Sequence, residues 1–161
     1  MTSGDGMISR DAQDAVLVLL VRINEHMRRL RESLQANPAV KEVMQGCDVY
    51  RFNGDGACFG VWIDVTPSCG DAFMLGLGIS RDASGWELDR RFDTQGDYGA
   101  VPVITFDAPS FASFGALADR YEALVAEFVD TVTAFDFAAA AARSEPWRMT
   151  AWWRSLTGRT G

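Results

Sequence analysis

The chain has 161 residues and a mass of 17.7 kDa, with 22 acidic against 15 basic side chains and a formal net charge of −7. With 48% hydrophobic and 23% charged residues, its composition is that of a globular domain and excludes a disordered chain. This length suffices for one domain with a sizeable core. A pI of about 4.6 argues against a nucleic-acid-binding domain, because such domains carry a net basic surface.

No segment is apolar enough to predict a membrane span or an export signal. The longest uninterrupted apolar run, Ala15 to Val21, covers seven residues, whereas a transmembrane helix needs about 20. Acidic residues precede this run, in contrast to the basic flank of a signal peptide. The chain also has an odd number of cysteines: Cys47, Cys58 and Cys69. Free thiols in a reducing compartment are the simplest interpretation, so we expect a cytoplasmic protein.

A long amphipathic helix is predicted from residue 12 to residue 36. Its apolar side chains recur in steps of three and four: Ala12, Val16, Leu19, Ile23, Met27, Leu30 and Leu34. Asn37 ends the helix, because the residue before a proline avoids the α region. Four further residues make the first half apolar almost all round: Leu17, Val18, Leu20 and Val21. That half needs cover on two sides, and a homodimer through helix 12–36 would supply it.

From residue 47 to residue 107 the pattern changes to the period of two that is typical of strands. Five strands are predicted: 47–53, 57–65, 72–80, 86–93 and 100–106. The short loops between them are rich in Gly, Asp and Ser, which indicates hairpins and therefore an antiparallel meander. Pro102 cannot donate to a sheet ladder, so the fifth strand should lie at an edge or be irregular.

The rest of the chain is predicted to be helical. A second long helix begins after Pro109-Ser110, and it either continues into 138–142 or breaks near Asp136. A short helix opens at Pro146. The predicted fold is therefore α+β in two layers, with the long N-terminal helix, the second long helix and the short C-terminal helix on one face of a five-stranded antiparallel meander sheet. We expect a flexible N-terminus over 1–9, a single domain over 10–142 and a basic, Trp-rich helix or tail over 143–161.

One face of the predicted sheet is not an ordinary core face. Its residues include three glycines inside strands together with Trp62, Met74 and charged groups: Gly60, Trp62, Asp64, Met74, Gly76, Gly78, Glu87, Asp89, Arg91 and Asp93. One allowed pairing sets Trp62 opposite Gly76, with Asp89 next in the same row. Two interpretations are open. Trp62 either covers the glycines and replaces their missing packing, or it anchors a shallow acidic groove for a basic partner.

The sequence offers little for catalysis or for a cofactor. His26 is the only histidine and lies at the boundary between the apolar stripe and the charged face of the first helix. We find no zinc-ligand spacing, no phosphate-binding loop and no nucleophile elbow. The exception is a carboxylate-only Mg²⁺ or Mn²⁺ site drawn from Asp64, Glu87, Asp89 and Asp93. We therefore expect no catalytic residue, metal or cofactor, with a carboxylate-dependent hydrolase as the alternative.

The C-terminal segment differs in kind from the rest. Residues 143–161 hold four arginines against one glutamate, a net charge of +3, which leaves −10 for residues 1–142. Three of the five tryptophans also lie there. The candidate contact residues are Arg148, Trp152, Trp153 and Arg154. They would dock on the acidic sheet of the same chain or touch an anionic membrane surface. Because the tail and the rest of the chain have opposite charges, docking on the sheet is the favoured alternative.

The leading hypothesis is a non-catalytic protein-binding module of a bacterial cytoplasm. By analogy of size, charge and element order alone, it would be immunity-, adaptor- or chaperone-like. The predicted partner-binding residues are Trp62, Asp64, Glu87, Asp89 and Arg91. The partner would be a basic protein and not a nucleic acid. The alternatives are the carboxylate-dependent hydrolase and a peripheral membrane protein held by its tail.

Overall fold

The computed structural model describes residues 10–52, 56–67, 72–96 and 99–140. Its elements, in chain order, are α1 (Arg10–Gln35), β1 (Val40–Phe52), β2 (Gly56–Pro67), β3 (Phe73–Asp82), β4 (Gly85–Gly96), β5 (Gly99–Ile104) and α2 (Phe114–Ala134). The strands form one open antiparallel sheet in the order β1-β2-β3-β4-β5, and residues 137–140 add a short helical turn after α2. The predicted α+β fold class is confirmed. The helix predicted after Pro146 and the segments 1–9 and 143–161 lie outside the described residues.

Helix α1 lays the predicted stripe on the sheet. Five of its apolar side chains are almost fully buried: Leu19, Ile23, Met27, Leu30 and Leu34. The helix ends at Gln35, and Asn37 then turns the chain, since its side-chain oxygen accepts a hydrogen bond from the backbone N–H of Ala39 at 2.9 Å. This turn before Pro38 leads directly into β1, which is why the helix and the first strand lie close together.

Strand β1 begins at Val40, seven residues before the predicted start. Val43 is buried and pairs with Val65 of β2. The polar neighbours Lys41 and Glu42 hide this apolar position from a simple alternation, and Gln45 faces α1, where its Nε2 donates to Asn24 Oδ1 at 3.1 Å. An edge strand needs only one buried face, and in β1 a polar contact to the helix occupies part of that face.

The register between β2 and β3 agrees with the prediction, whereas the register between β3 and β4 does not. Trp62 lies opposite Gly76 as expected, but Gly76 faces Arg91 and not Asp89, a difference of two residues. The cause is the hairpin. Asp82 Oδ1 accepts hydrogen bonds from the backbone N–H groups of Ser84 (2.7 Å) and Gly85 (3.2 Å), which places the turn at residues 83–84. Gly85 has a φ of +136°, a conformation that favours glycine.

Helix α2 covers the other half of the sheet. Ser113 caps it by accepting from the backbone N–H of Ala116 at 3.2 Å. The helix ends at Ala134, so of the two alternatives left open by the sequence the structure has the break near Asp136. At the break, Phe135 turns into an aromatic cluster, with ring centroids 5.6 Å from Phe73 and 4.8 Å from Phe92. The break lets the Phe135 ring pack in this cluster, which removes apolar surface from water.

The two long helices meet along a polar seam. His26 Nδ1 lies 3.1 Å from the hydroxyl of Tyr121, a fully buried side chain of α2. Burial raises the pKa of the Tyr121 hydroxyl above its ordinary range. Next to this contact, Arg22 donates to Glu122 at 3.4 Å. His26 is half-buried at the boundary of the stripe, where the sequence places it, and it joins the first described helix to the last long one.

Candidate functional site

The candidate site is the sheet face that points away from α1 and α2. The helices pack on the opposite face, whose strand residues are buried: Val61, Ile63, Val65, Phe73, Leu75, Leu77, Ile79, Leu88 and Phe92. No helix of the described residues lies on the candidate face. Three rows of paired residues cross it from β2 to β4: Gly60–Gly78–Asp89, Trp62–Gly76–Arg91 and Asp64–Met74–Asp93.

Trp62 packs sideways onto β1 and not over the glycines of β3. A Cβ built on Gly46 would lie 2.2 Å from Trp62 Cζ2, so the indole occupies the space above that glycine. Gly46 is the direct pairing partner of Trp62. The indole thus replaces packing that Gly46 lacks, as in the rescue of sheet glycines by a cross-strand aromatic. The interpretation that Trp62 covers the sheet glycines is wrong for Gly76 and Gly78, where a Cβ would first meet Arg91 and the backbone of Phe59, respectively.

A groove lies beside the indole, over the glycines that it leaves uncovered. It has a volume of about 230 Å³, and its lining includes Gly60, Trp62, Met74, Gly76, Gly78, Asp89 and Arg91. Gly78 permits a close approach of strands, because a Cβ there would lie 2.7 Å from the backbone oxygen of Phe59. Gly76 is flanked by the aliphatic part of Arg91, because a Cβ built on Gly76 would lie 3.4 Å from Arg91 Cβ. The face therefore has a groove beside the indole.

The charged side chains of the face are partly desolvated. Arg91 Nε donates to Asp89 Oδ2 at 2.8 Å, so these two groups form an ion pair at the rim of the groove. Burial raises the pKa of Asp64 above its ordinary value. Burial also raises the pKa of Glu87, and the carboxylates of Asp82 and Asp89 add to the shift. The carboxylates of Asp64 and Glu87 are therefore partly shielded from water.

The structure brings together three of the five predicted partner-binding residues. Trp62, Asp89 and Arg91 line the groove. Asp64 lies two positions from Trp62 on the same face but outside the groove lining. Glu87 pairs with Ser80 towards the β3–β4 turn, also away from the groove. The predicted tail contacts Arg148, Trp152, Trp153 and Arg154 lie outside the described residues.

A second, larger cavity opens at the edge of the sheet. It has a volume of about 350 Å³, and the residues lining it are Asp89, Arg90, Arg91, Asp93, Pro102, Ile104, Thr105, Phe106, Asp107 and Ala108. Strand β5 ends at Ile104, two residues earlier than predicted, and the chain that follows stands off β4. Pro102 lies in this edge strand beside a register shift, as its lack of a donor predicts.

Arg90 is the residue of this region that the sequence did not single out. Its side chain is only 1% exposed and points to the helix side of the sheet, where Nη1 lies 2.6 Å from Glu127 Oε2 and 3.2 Å from the backbone oxygen of Leu124. Its guanidinium also lies over the ring of Phe106, 5.1 Å from the centroid. An arginine between Leu88 and Phe92 on the core face breaks the alternation, and that break was the available signal.

Further features concern the described residues and the chain's relatives. Within the described ranges, no group of three or more His, Cys, Asp or Glu side chains is arranged to hold a metal ion. Cys47 is a free, exposed thiol. Among the described helices, none combines the length and hydropathy that crossing a bilayer requires. Comparison of the chain with protein-family models, curated proteins and solved structures gives no match.

Proposed function

We propose that this protein is a binding module without catalytic activity, which holds a basic protein partner on the uncovered face of its sheet. The observation that carries this role is the groove beside Trp62, bordered by the Asp89–Arg91 pair. A half-buried tryptophan next to a groove is the kind of anchor on which binding energy concentrates. The immunity-, adaptor- or chaperone-like role and the bacterial cytoplasm belong to the same proposal.

The charge of the chain supports a basic partner. Residues 1–142 carry a net charge of −10, and the pKa values of Asp64 and Glu87 are raised, mainly by burial. A cationic group of a partner would offset the repulsion that Glu87 receives from the carboxylates of Asp82 and Asp89. Opposite net charges also accelerate the encounter of two proteins, most strongly at low ionic strength.

Differential capture tests this role. The full chain is immobilised and exposed to a lysate of its source organism, and the proteins retained by the wild type are compared with those retained by a Trp62→Ala/Asp89→Arg variant. We expect the specific partner to be depleted by about tenfold or more in the variant, as for the loss of a central anchor. Asp130→Arg, an exposed charge reversal on α2, is the matched control and should retain the partner.

Two further measurements separate this role from simpler effects. Trp62→Phe keeps an aromatic ring over Gly46 and should retain most of the binding, which distinguishes a lost contact from a disturbed fold. The recovered protein, purified by itself, should bind more weakly at higher salt. Equal capture by the wild type and Trp62→Ala/Asp89→Arg would contradict the assignment of this face. A thermal shift with millimolar Mg²⁺ or Mn²⁺ would instead favour the carboxylate-dependent hydrolase.

The outer surface of α1 supports a second copy of the chain as a further partner. Leu17, Val18 and Val21 are 58%, 56% and 70% exposed, although they belong to the apolar first half of the helix. They lie opposite the buried stripe, next to one another at the i, i+3 and i, i+4 spacings of a helix surface. We therefore retain the homodimer through helix 12–36 as a proposal, in which two such patches cover each other about a two-fold axis.

A further inference from the structure

The fold itself creates the cavity at the sheet edge. Strand β5 pairs with β4 only from Phe92 to Gly96. The chain then leaves the sheet and returns to it at Phe111, which exchanges two backbone hydrogen bonds with Trp86 at 2.7 and 2.8 Å. Between these two points, the segment 105–110 stands off β4 and leaves the space of about 350 Å³.

This cavity is held open by contacts at both ends of the loop. Arg90 donates from Nη2 to the backbone oxygen of Asp107. Ser110 donates from its hydroxyl to the backbone oxygen of Ser84 at 2.8 Å. The arginine is itself fixed by Glu127 and Leu124. The walls are therefore already in place, and a ligand would not have to order them.

The charges around the cavity are unbalanced. Three aspartates line it, and Glu127 pairs with the Arg90 of its wall, whereas the positive groups are Arg90 and Arg91, so the set carries a net charge of −2. Both arginines are committed, Arg90 to Glu127 at 2.6 Å and Arg91 to Asp89 at 2.8 Å. The lining therefore has no uncommitted cation for its remaining carboxylates.

Asp93 is the carboxylate that most needs a partner. Its residue is 8% exposed, it lines the cavity, and no side-chain hydrogen bond of the described residues reaches it. Burial raises the pKa of this carboxyl group, and Asp89 adds to the effect while Arg91 opposes it. A buried carboxylate without a hydrogen-bonded counter-ion is costly, and a cationic group is the partner that removes this cost.

We infer that this edge cavity, formed by β4 and residues 102–108, receives the cationic side chain of an arginine or a lysine on the bound partner, with Asp93 as its counter-ion. This inference rests on the proposed function and names the chemistry that the partner presents. The apolar wall of Pro102, Ile104, Phe106 and Ala108 suits the methylene stem of such a side chain. The volume lies at the small end of the range for ligand sites, roughly 300–1,000 Å³, and so fits one side chain better than a large ligand.

The cavity and the groove are adjacent. Asp89 and Arg91 line both of them. A partner held against Trp62 would therefore have the edge cavity within reach of a neighbouring residue. This continuity separates the cavity from an isolated surface cleft and connects it to the face proposed for binding.

The experiment is a titration of the ¹⁵N-labelled full chain with N-acetyl-arginine methylamide, followed by two-dimensional NMR. We expect saturable chemical-shift changes at the amides of Asp93 and residues 105–108. The dissociation constant should be about millimolar, as for a single-residue fragment. The citrulline analogue has nearly the same shape without the charge and should cause no saturable shift. Asp93→Asn should weaken binding of the arginine probe by about tenfold or more, while the exposed control Asp130→Asn should not.

Other outcomes would overturn the inference. These are an absence of saturable shifts, equal shifts with the citrulline analogue, or unchanged binding to Asp93→Asn. If Asp93→Asn loses its dispersed spectrum, Thr105→Arg serves instead, because it places a cation of the chain itself at the exposed rim of the cavity and should abolish binding. Trp62-dependent capture without probe binding would refute the cation-binding role of the cavity and leave the proposed function standing. Probe binding without such capture would refute the proposed function and leave the cavity as a site for a cationic side chain.

Discussion

The indole of Trp62 stands in the place where a side chain of Gly46 would be. The two residues are paired across β1 and β2, and a Cβ on Gly46 would lie 2.2 Å from Trp62 Cζ2. The position of the indole therefore depends on the absence of a side chain at residue 46. Because the indole lies over Gly46, it borders the groove at Gly76 and Gly78 and does not fill it.

Gly46→Ala should destabilise the protein by about 1–3 kcal/mol, because the ring of Trp62 has to move away from its packed position. Urea denaturation gives the free energy of unfolding. Gly76→Ala is the matched control: a Cβ there would meet Arg91 Cβ at 3.4 Å, so the loss should be smaller. In the double variant Gly46→Ala/Trp62→Ala the clash is gone. Its loss of stability should therefore be smaller than the sum of the losses of the two single variants. Strict additivity would contradict the contact.

Arg90→Met should cost about 2–4 kcal/mol of stability, because it removes donors from the backbone oxygens of Leu124 and Asp107. Glu127→Gln should cost less than about 1 kcal/mol, since the Glu127 side chain is 59% exposed and water can replace the ion pair. Denaturant unfolding of both variants makes the comparison. Equal losses would show that the ion pair, and not the backbone contacts, carries the role of Arg90.

Asp93→Asn should raise the melting temperature at pH 7. The folded-state pKa of Asp93 lies above its unfolded value because of burial, so the folded state binds the proton more tightly and loses stability as the pH rises from the unfolded value through the raised one. Asparagine imitates the neutral form, so the gain should vanish below a pH of about 3.9, the ordinary value for aspartate. Thermal unfolding from pH 3 to pH 8 measures this.

Asp82→Asn provides the opposite sign in the same experiment. Hydrogen bonds from Ser84, and then from the backbone of Gly85, hold the pKa of Asp82 below its usual range. Its stabilisation is therefore present above the unfolded value and is lost as the pH falls through the folded one. We expect the variant to melt at a lower temperature than the wild type at pH 7. A gain at pH 7 from Asp82→Asn would contradict the environment assigned to Asp82, and a loss from Asp93→Asn would contradict the one assigned to Asp93.

Val21→Glu should convert a dimer into a monomer, if the exposed patch of α1 is the surface through which two copies associate. The residue is 70% exposed, so the monomer fold should tolerate the charge. Sedimentation velocity at several concentrations gives the mass of each form, and circular dichroism checks the fold. Glu32→Gln, an exposed substitution farther along the same helix, is the control. A wild-type protein that stays monomeric at high concentration would refute self-association.

The fold class followed from periodicity, because the buried faces of α1, β2 and β3 are long and regular. Leu75 and Leu77 alternate with Met74, Gly76 and Gly78, and one residue of slip would invert the whole strand. The same parity cannot distinguish shifts of two residues, so the pairing of Gly76 with Arg91 depended on hydrogen bonds inside the turn at Asp82, which spacing does not reveal.

The candidate site was predictable in its composition but not in its geometry. Trp62, Asp89 and Arg91 belong to the predicted face, yet the partner of the indole, Gly46, lies in the part of β1 that its polar residues concealed. The edge cavity depends on where β5 ends and on Arg90, whose partners Leu124 and Glu127 are more than 30 residues away. Contacts over such distances come from tertiary packing, which local patterns do not encode.

The seam between α1 and α2 also constrains the order in which the chain can fold. His26 and Tyr121 are 95 residues apart, and Arg22 and Glu122 are 100 apart. During synthesis, α1 therefore emerges long before the sheet and the helix that cover its apolar stripe. The hairpins of the meander can close locally and early, and they give α1 a surface to pack on, whereas the polar seam forms only when α2 exists. Until the sheet forms, Ile23 and Met27 are open to water or to other chains, so a nascent chain halted before β2 would be more prone to aggregate than one halted after β4.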